Sequence, residues 1–314
     1  MKTFLAVVLV AGSLCAADKP VPGINSRTII VGEHERHYIL YLPKSYDGDK
    51  PLPVVIMIHG GGGTSKGALF ETGWDRKAEA EGFIVAAPDG LGKDPSKPGN
   101  FRTNPPTWND GSGRFAKNQS GIDDIGFIAA MIDEIIAACR ADAKRVYATG
   151  FSNGASMTFR TGLALSSRVA AIAPVAGALW ITNAVPDRPL PLCYITGTAD
   201  TLNPLAGGIP KTFTGGVALG EGVPKPPVQA NIDTWISLIG CAKEPVSTTI
   251  SNGVTKRTYA GGLNGTAIES YFIEGCGHTW PGGKSILPVS TVGPTTDKLN
   301  ATDVIWEFFK RSTR

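Results

Sequence analysis

Gly150-Phe151-Ser152-Asn153-Gly154 is the stretch on which the reading of this chain turns. The pattern Gly-x-Ser-x-Gly is that of a nucleophile elbow, a serine on a sharp turn between a strand and a helix. Such a turn demands positive φ at the serine. It leaves no room for a side chain two residues to either side, hence glycine at both flanks. The pentapeptide alone is common, but its surroundings are specific. Arg145-Val146-Tyr147-Ala148-Thr149 reads as a short strand running into it. Residues 153–163 read as a helix, with Ala155, Met157, Phe159 and Leu163 among its apolar positions.

Working outward, residues 27–31 and 37–42 read as a leading antiparallel hairpin. Residues 54–58 and 83–87 are continuous apolar runs, as in strands buried on both faces. Residues 122–139 have helical periodicity, with Ile125, Ile128, Ala129, Ile132, Ile135 and Ile136 on one side. Strands follow at 170–175, 192–196 and 266–273, a helix at 229–240, and a last helix capped by Asn300. This alternation predicts an α/β fold with a doubly wound, mostly parallel sheet. Three segments rich in Gly and Pro, 92–121, 201–228 and 281–298, are expected to be loops at the carboxyl ends of the strands, where such sheets build their sites. No helical insertion is long enough to make a large lid.

A serine hydroxyl needs a base to take its proton and an acid to orient that base. Chains built round this elbow carry the three in the order serine, acid, histidine. Of four histidines, His34 and His37 fall in the leading hairpin and His59 ends the 54–58 strand. Only His278 follows Ser152, so His278 is the expected base. Asp187 precedes a strand and Asp233 falls inside a helix. Asp200 follows the 192–196 strand and is the expected acid. His59-Gly60-Gly61-Gly62-Gly63 follows a strand and matches an oxyanion loop, whose backbone N–H groups reach the substrate oxygen unobstructed. Gly60, Gly61 and the N–H of Asn153 are the expected donors. A phosphate loop is excluded, because no Gly-Lys-Ser/Thr stands at the needed spacing. Trp108 and Trp280 are candidate substrate-binding walls, with a core or loop-anchoring role as the alternative. Cys276 and His278 lack a third nearby ligand, so no metal is expected.

Five motifs occur in order: His59-Gly-Gly-Gly-Gly, Gly121-Ile-Asp-Asp-Ile-Gly-Phe127, Gly150-Phe-Ser-Asn-Gly154, Gly197-Thr-Ala-Asp-Thr-Leu-Asn-Pro204 and Gly277-His-Thr-Trp-Pro-Gly282. Together they resemble the secreted polyhydroxybutyrate depolymerase and feruloyl esterase family of α/β-hydrolases, over residues 37–314. The resemblance implies an α/β-hydrolase fold and carboxyl-ester hydrolysis through an acyl-enzyme. It implies no metal or organic cofactor, and it assigns Ser152, Asp200 and His278 as the triad. It also covers Asp123 and Asp124, which read as structural residues at a helix start. The implied substrates are a polyester oligomer or a plant cell-wall ester. Acetylxylan esterase is an alternative, and a serine peptidase of the prolyl oligopeptidase type another, although no segment of the chain reads as a propeller. A non-catalytic relative would lack a triad member, and all three are present.

The 314 residues are 42% hydrophobic and 18% charged, with a formal net charge of +3. That suffices for one well-filled α/β domain. Lys and Arg do not cluster, so no nucleic-acid partner is expected. Residues 1–17 read as a signal peptide. Lys2 precedes the apolar Phe4-Leu5-Ala6-Val7-Val8-Leu9-Val10, and Ala16-Ala17 offer a cleavage point. The run is too short to span a bilayer. Leu14 before Cys15 is bulky for a lipid-attachment site, so anchoring is the lesser reading. Residues 18–314 are then the α/β-hydrolase catalytic domain, secreted or periplasmic, with no membrane partner expected. Four cysteines remain in it, an even count that an oxidising compartment allows to pair. A disulfide between Cys241 and Cys276 is the favoured expectation, with Cys193 as a buried free thiol.

Overall fold

The computed structural model describes residues 20–115, 121–210 and 222–314, so the expected signal peptide lies outside the described residues. The chain forms a 10-stranded sheet in the order β1-β2-β4-β3-β5-β6-β7-β10-β9-β8. Its centre comprises β3 (Val54–Ile58), β4 (Ile84–Pro88), β5 (Val146–Phe151), β6 (Ala171–Val175), β7 (Leu192–Gly197) and β10 (Ile268–Ile273), paired in parallel. Hairpins pair antiparallel at both edges: β1 (Gly23–Val31) with β2 (His34–Leu42), and β8 (Ser247–Ser251) with β9 (Val254–Tyr259). The leading hairpin is longer than its apolar pattern predicts. Its register runs from Gly23 opposite Leu42 to Val31 opposite His34.

The sheet is covered on both faces, as its uninterrupted apolar strands require. On one side lie α3 (Asp124–Cys139), α4 (Asn153–Ala164) and α5 (Val228–Ile239); on the other, α1 (Ser65–Thr72), α2 (Trp74–Glu81) and α7 (Ala301–Phe309). A short α6 (Val289–Val292) precedes α7. Alternate residues of β3 serve the two faces. Val54, Ile56 and Ile58 join the first apolar cluster, and Val55 and Met57 join the second. Asn300 caps α7 by accepting the Asp303 N–H at 3.1 Å, and Phe309 stacks on Tyr147 with centroids 4.6 Å apart. This is the doubly wound α/β-hydrolase architecture expected from the alternation of strands and helices.

Two parts went unread in the sequence. α1 and α2 are short and joined through Gly73, whose φ of 68° ends one helix and starts the next. Neither is long enough to display a full helical period. The β8–β9 hairpin has an exposed first strand, so burial leaves no alternation in it. Its turn is Asn252-Gly253, with φ of 50° and 70°, a dipeptide that signals a tight hairpin on its own.

The expected disulfide is corrected by the sheet. Cys139, Cys193, Cys241 and Cys276 are all buried and free. Cys241 packs in the apolar cluster on one face and Cys276 in the cluster on the other, so the sheet itself separates them. Among the described residues, no helix is long and apolar enough to cross a membrane.

Candidate active site

β5 ends in Phe151, and α4 begins at Asn153. Ser152, between them, has φ 57° and ψ −116°, the strained turn predicted for the elbow. The flanking glycines are required by contact. A Cβ on Gly154 would lie 2.2 Å from the Ile58 carbonyl oxygen, and one on Gly150 would lie 2.4 Å from the Gly154 oxygen. The close approach of α4 to the end of β3 sets Ser152 beside the glycine loop.

Three distant side chains meet here. Ser152 Oγ lies 2.8 Å from His278 Nε2, and His278 Nδ1 lies 2.7 Å from Asp200 Oδ2. With Nδ1–H donating to the carboxylate, Nε2 is left to accept the serine proton. Asp200 follows β7, and its Oδ1 accepts the N–H groups of Leu202 (2.8 Å) and Asn203 (2.7 Å). Burial pushes the Asp200 carboxyl up; His278, the Asn203 N–H and Lys225 outweigh it and hold its pKa below the usual carboxylate range. His278 follows β10. Its N–H donates to the Val292 oxygen at 2.5 Å, and its ring rests against Phe151 with centroids 4.8 Å apart.

The glycine loop is strapped down by groups beneath it. Gly62 N–H donates to the Pro106 oxygen at 2.6 Å. The His59 ring is buried; its Nδ1–H donates to the Gly60 oxygen at 2.7 Å and its Nε2 accepts the Gly90 N–H at 2.9 Å. Burial pushes that imidazole down, which keeps it neutral for both bonds. The N–H groups of Gly60, Gly61 and Asn153 meet no acceptor among the described residues. All three residues line the same cavity as Ser152. Free N–H groups beside a serine hydroxyl are what an oxyanion needs.

Trp108 and Trp280, the candidate substrate walls, are both buried, and neither is among the residues lining the cavity. The Trp108 indole N–H donates to the His59 oxygen at 2.8 Å, so this ring props the glycine loop from below. The Trp280 indole N–H donates to Thr302 Oγ1 at 3.0 Å and ties the His278 loop to α7. Behind Trp108 stands a buried ion pair. Arg36 Nη2 lies 2.7 Å from Asp124 Oδ1, and Asp124 Oδ2 accepts the Asn109 N–H at 2.7 Å. Asp123 caps α3 by accepting the Gly126 N–H at 2.8 Å. The Asn153 side chain completes the brace. Its Oδ1 accepts the Trp108 N–H at 2.8 Å, and its Nδ2 donates to Asp110 Oδ2 at 2.8 Å.

A cavity of about 390 Å³ opens over Ser152. The three long loops supply its walls, with Phe101 from the first, Leu202 and Lys225 from the second and Leu287 from the third. The sequence carried no signal for Lys225, which stands among prolines in an ordinary-looking loop. Among the described residues, no three His, Cys, Asp or Glu side chains gather closely enough to hold a metal ion.

The chain matches the phospholipase/carboxylesterase family over residues 46–211, a span that includes Ser152 and Asp200. It is similar to a putative esterase, NocK, of Nocardia uniformis subsp. tsuyamanensis: 27% identical over 298 residues, covering 90% of this chain and 82% of that protein. It is similar to feruloyl esterase B of Piromyces equi at 28% identity, covering 79% of this chain but only 44% of that enzyme's length. In fold it resembles an acetyl xylan esterase from Aspergillus awamori, with a TM-score of 0.56, 17% identity and coverage of 81% of this chain and 94% of that one. The chain belongs to the phospholipase/carboxylesterase family, an esterase family of α/β-hydrolases, and is an enzyme acting on ester bonds.

Proposed function

We propose that this esterase is a serine enzyme that cleaves carboxyl esters through an acyl-enzyme. The observation that carries the reading is the line of contacts from Ser152 Oγ to His278 Nε2 at 2.8 Å and from His278 Nδ1 to Asp200 at 2.7 Å, at the floor of an open cavity. His278 takes the Ser152 proton as Oγ attacks the ester carbonyl. The N–H groups of Asn153, Gly60 and Gly61 hold the oxyanion. His278 returns its proton to the leaving alcohol, and water repeats the steps on the acyl-serine. The ionised Asp200 keeps the imidazole in the tautomer that this exchange needs.

The substrate class is a short-chain polyester of the polyhydroxybutyrate kind or a feruloyl ester. Phe101, Phe151, Leu202 and Leu287 give the cavity apolar walls suited to an acyl chain or a ring. Likeness to feruloyl esterase B favours the second substrate. Initial rates on hydroxybutyrate oligomers, methyl ferulate, acetylated xylan and a peptide panel decide among these, acetylxylan esterase and peptidase being the lesser readings. Ser152→Ala is expected to lose roughly a thousand-fold or more of the activity on a p-nitrophenyl ester. Near-normal turnover by that variant overturns the serine mechanism. The proposal includes export, with residues 1–17 removed and 18–314 as the mature catalytic domain. Recovery of a chain beginning at Asp18 from the periplasm or medium tests it.

A further inference from the structure

One end of the cavity carries charge that the proposed chemistry leaves unused. Lys225 lines the cavity yet is only 6% exposed. Its Nζ donates to Asn203 Oδ1 at 3.1 Å, and among the described residues this neutral amide oxygen is the one acceptor it has. Both carboxylates whose charge it feels are engaged elsewhere. Asp200 gives Oδ2 to His278 and Oδ1 to two backbone N–H groups. Asp110 gives Oδ2 to Arg114 at 2.6 Å and to Asn153, and Oδ1 to the Ser112 N–H. Arg114, a second cation, lines the same cavity. Burial first, and then Arg114, pushes the Lys225 ammonium down to about 7 against the pull of Asp200 and Asp110. A buried ammonium with one neutral partner is costly to hold, and an anion arriving in the cavity supplies the charge-assisted bond it lacks.

We propose that Lys225 is a specificity residue that receives a free carboxylate on the substrate, so that the preferred esters are acidic ones. This rests on the reading of Ser152 as the nucleophile. The carboxylate has two chemical sources. It sits on the acyl side in a dicarboxylic half-ester, and on the alcohol side in a hydroxyacid dimer.

Matched pairs separate them. The first pair is 4-nitrophenyl hemiglutarate and 4-nitrophenyl pentanoate. The second is the 3-hydroxybutyrate dimer and its methyl ester. The wild-type enzyme is expected to prefer the acidic member of at least one pair by about tenfold or more in kcat/KM. The pair that shows the preference identifies the side on which the carboxylate binds. Lys225→Met should bring that ratio close to one and Lys225→Arg should keep most of it. Because the ratio is read within each variant, a general loss of activity cancels. The Ser152→Ala protein and its Lys225→Met double variant give the same comparison by calorimetry with unreacted esters, so the subsite is tested separately from the nucleophile. Equal treatment of both members by the wild-type enzyme overturns the proposal. So does an equal fall on both members in Lys225→Met, the mark of a brace for the Asp200 loop and nothing more.

Discussion

Replacing Trp108 with Phe distinguishes a prop from a substrate wall. The indole N–H donates to the His59 oxygen at 2.8 Å in a site with no solvent access, since Trp108 is 0% exposed. Phe removes that donor and strands a buried carbonyl, at a cost of about 1–3 kcal/mol. The smaller ring also leaves a void beneath the glycine loop, adding about 1 kcal/mol. A total near 2–4 kcal/mol lowers Tm by about 4–16 °C at the roughly 2–4 °C per kcal/mol usual for larger domains. His59 is joined directly to Gly60, so the same change loosens the proposed oxyanion donors. kcat on a p-nitrophenyl ester should fall by roughly tenfold or more, with KM little changed. Calorimetry and steady-state kinetics on one preparation read both quantities. A Tm within 1 °C of wild type together with a several-fold rise in KM would refute the reasoning and restore Trp108 to the substrate.

Asp200→Asn leaves the shape intact but removes the charge that orients His278; kcat should drop by roughly a hundred- to ten-thousand-fold while the fold persists by circular dichroism. Lys225 has a folded pKa of about 7 against an ordinary 10.5, so the unfolded chain binds more protons between those values. Its contribution is therefore unfavourable below pH 7 and is relieved as pH rises towards 10.5. Denaturant titrations of wild type and Lys225→Met should diverge most in favour of the variant at pH 6 and converge near pH 10; a difference independent of pH counts against the shift. Thiol titration of the unreduced, denatured 18–314 chain should count four free cysteines, and a count of two would return a disulfide to the fold.

The sequence was most legible where one physical demand acts alone. β3 and β4 read directly, because a strand covered on both faces must be apolar throughout. Gly150 and Gly154 read directly, because backbone of β3 and α4 occupies the space a side chain would need. His278, named with Ser152 and Asp200 from order and elimination, lies within hydrogen-bond reach of both. What stayed hidden depends on three-dimensional neighbours. Trp108 and Trp280 look alike in sequence whether they face substrate or core; only the partners of their N–H groups separate the two. Arg36 falls in a hairpin whose local pattern gives no hint of Asp124, 88 residues on. Lys225 owes its environment to Asn203 and Arg114, neither adjacent in sequence. The β8–β9 hairpin is legible only from its Asn-Gly turn, because its exposed first strand carries no apolar alternation.

Asn153 occupies a position that its signature motif leaves unspecified, yet its side chain is held by three hydrogen bonds. Its amide N–H is a proposed oxyanion donor, while its carboxamide grips the segment that carries Trp108 and Asp110. A random library built at this apparently open slot would therefore yield few survivors. Engineers wishing to retune selectivity have a different starting point at Leu287, which lines the cavity from the third loop and not from the elbow of the proposed nucleophile.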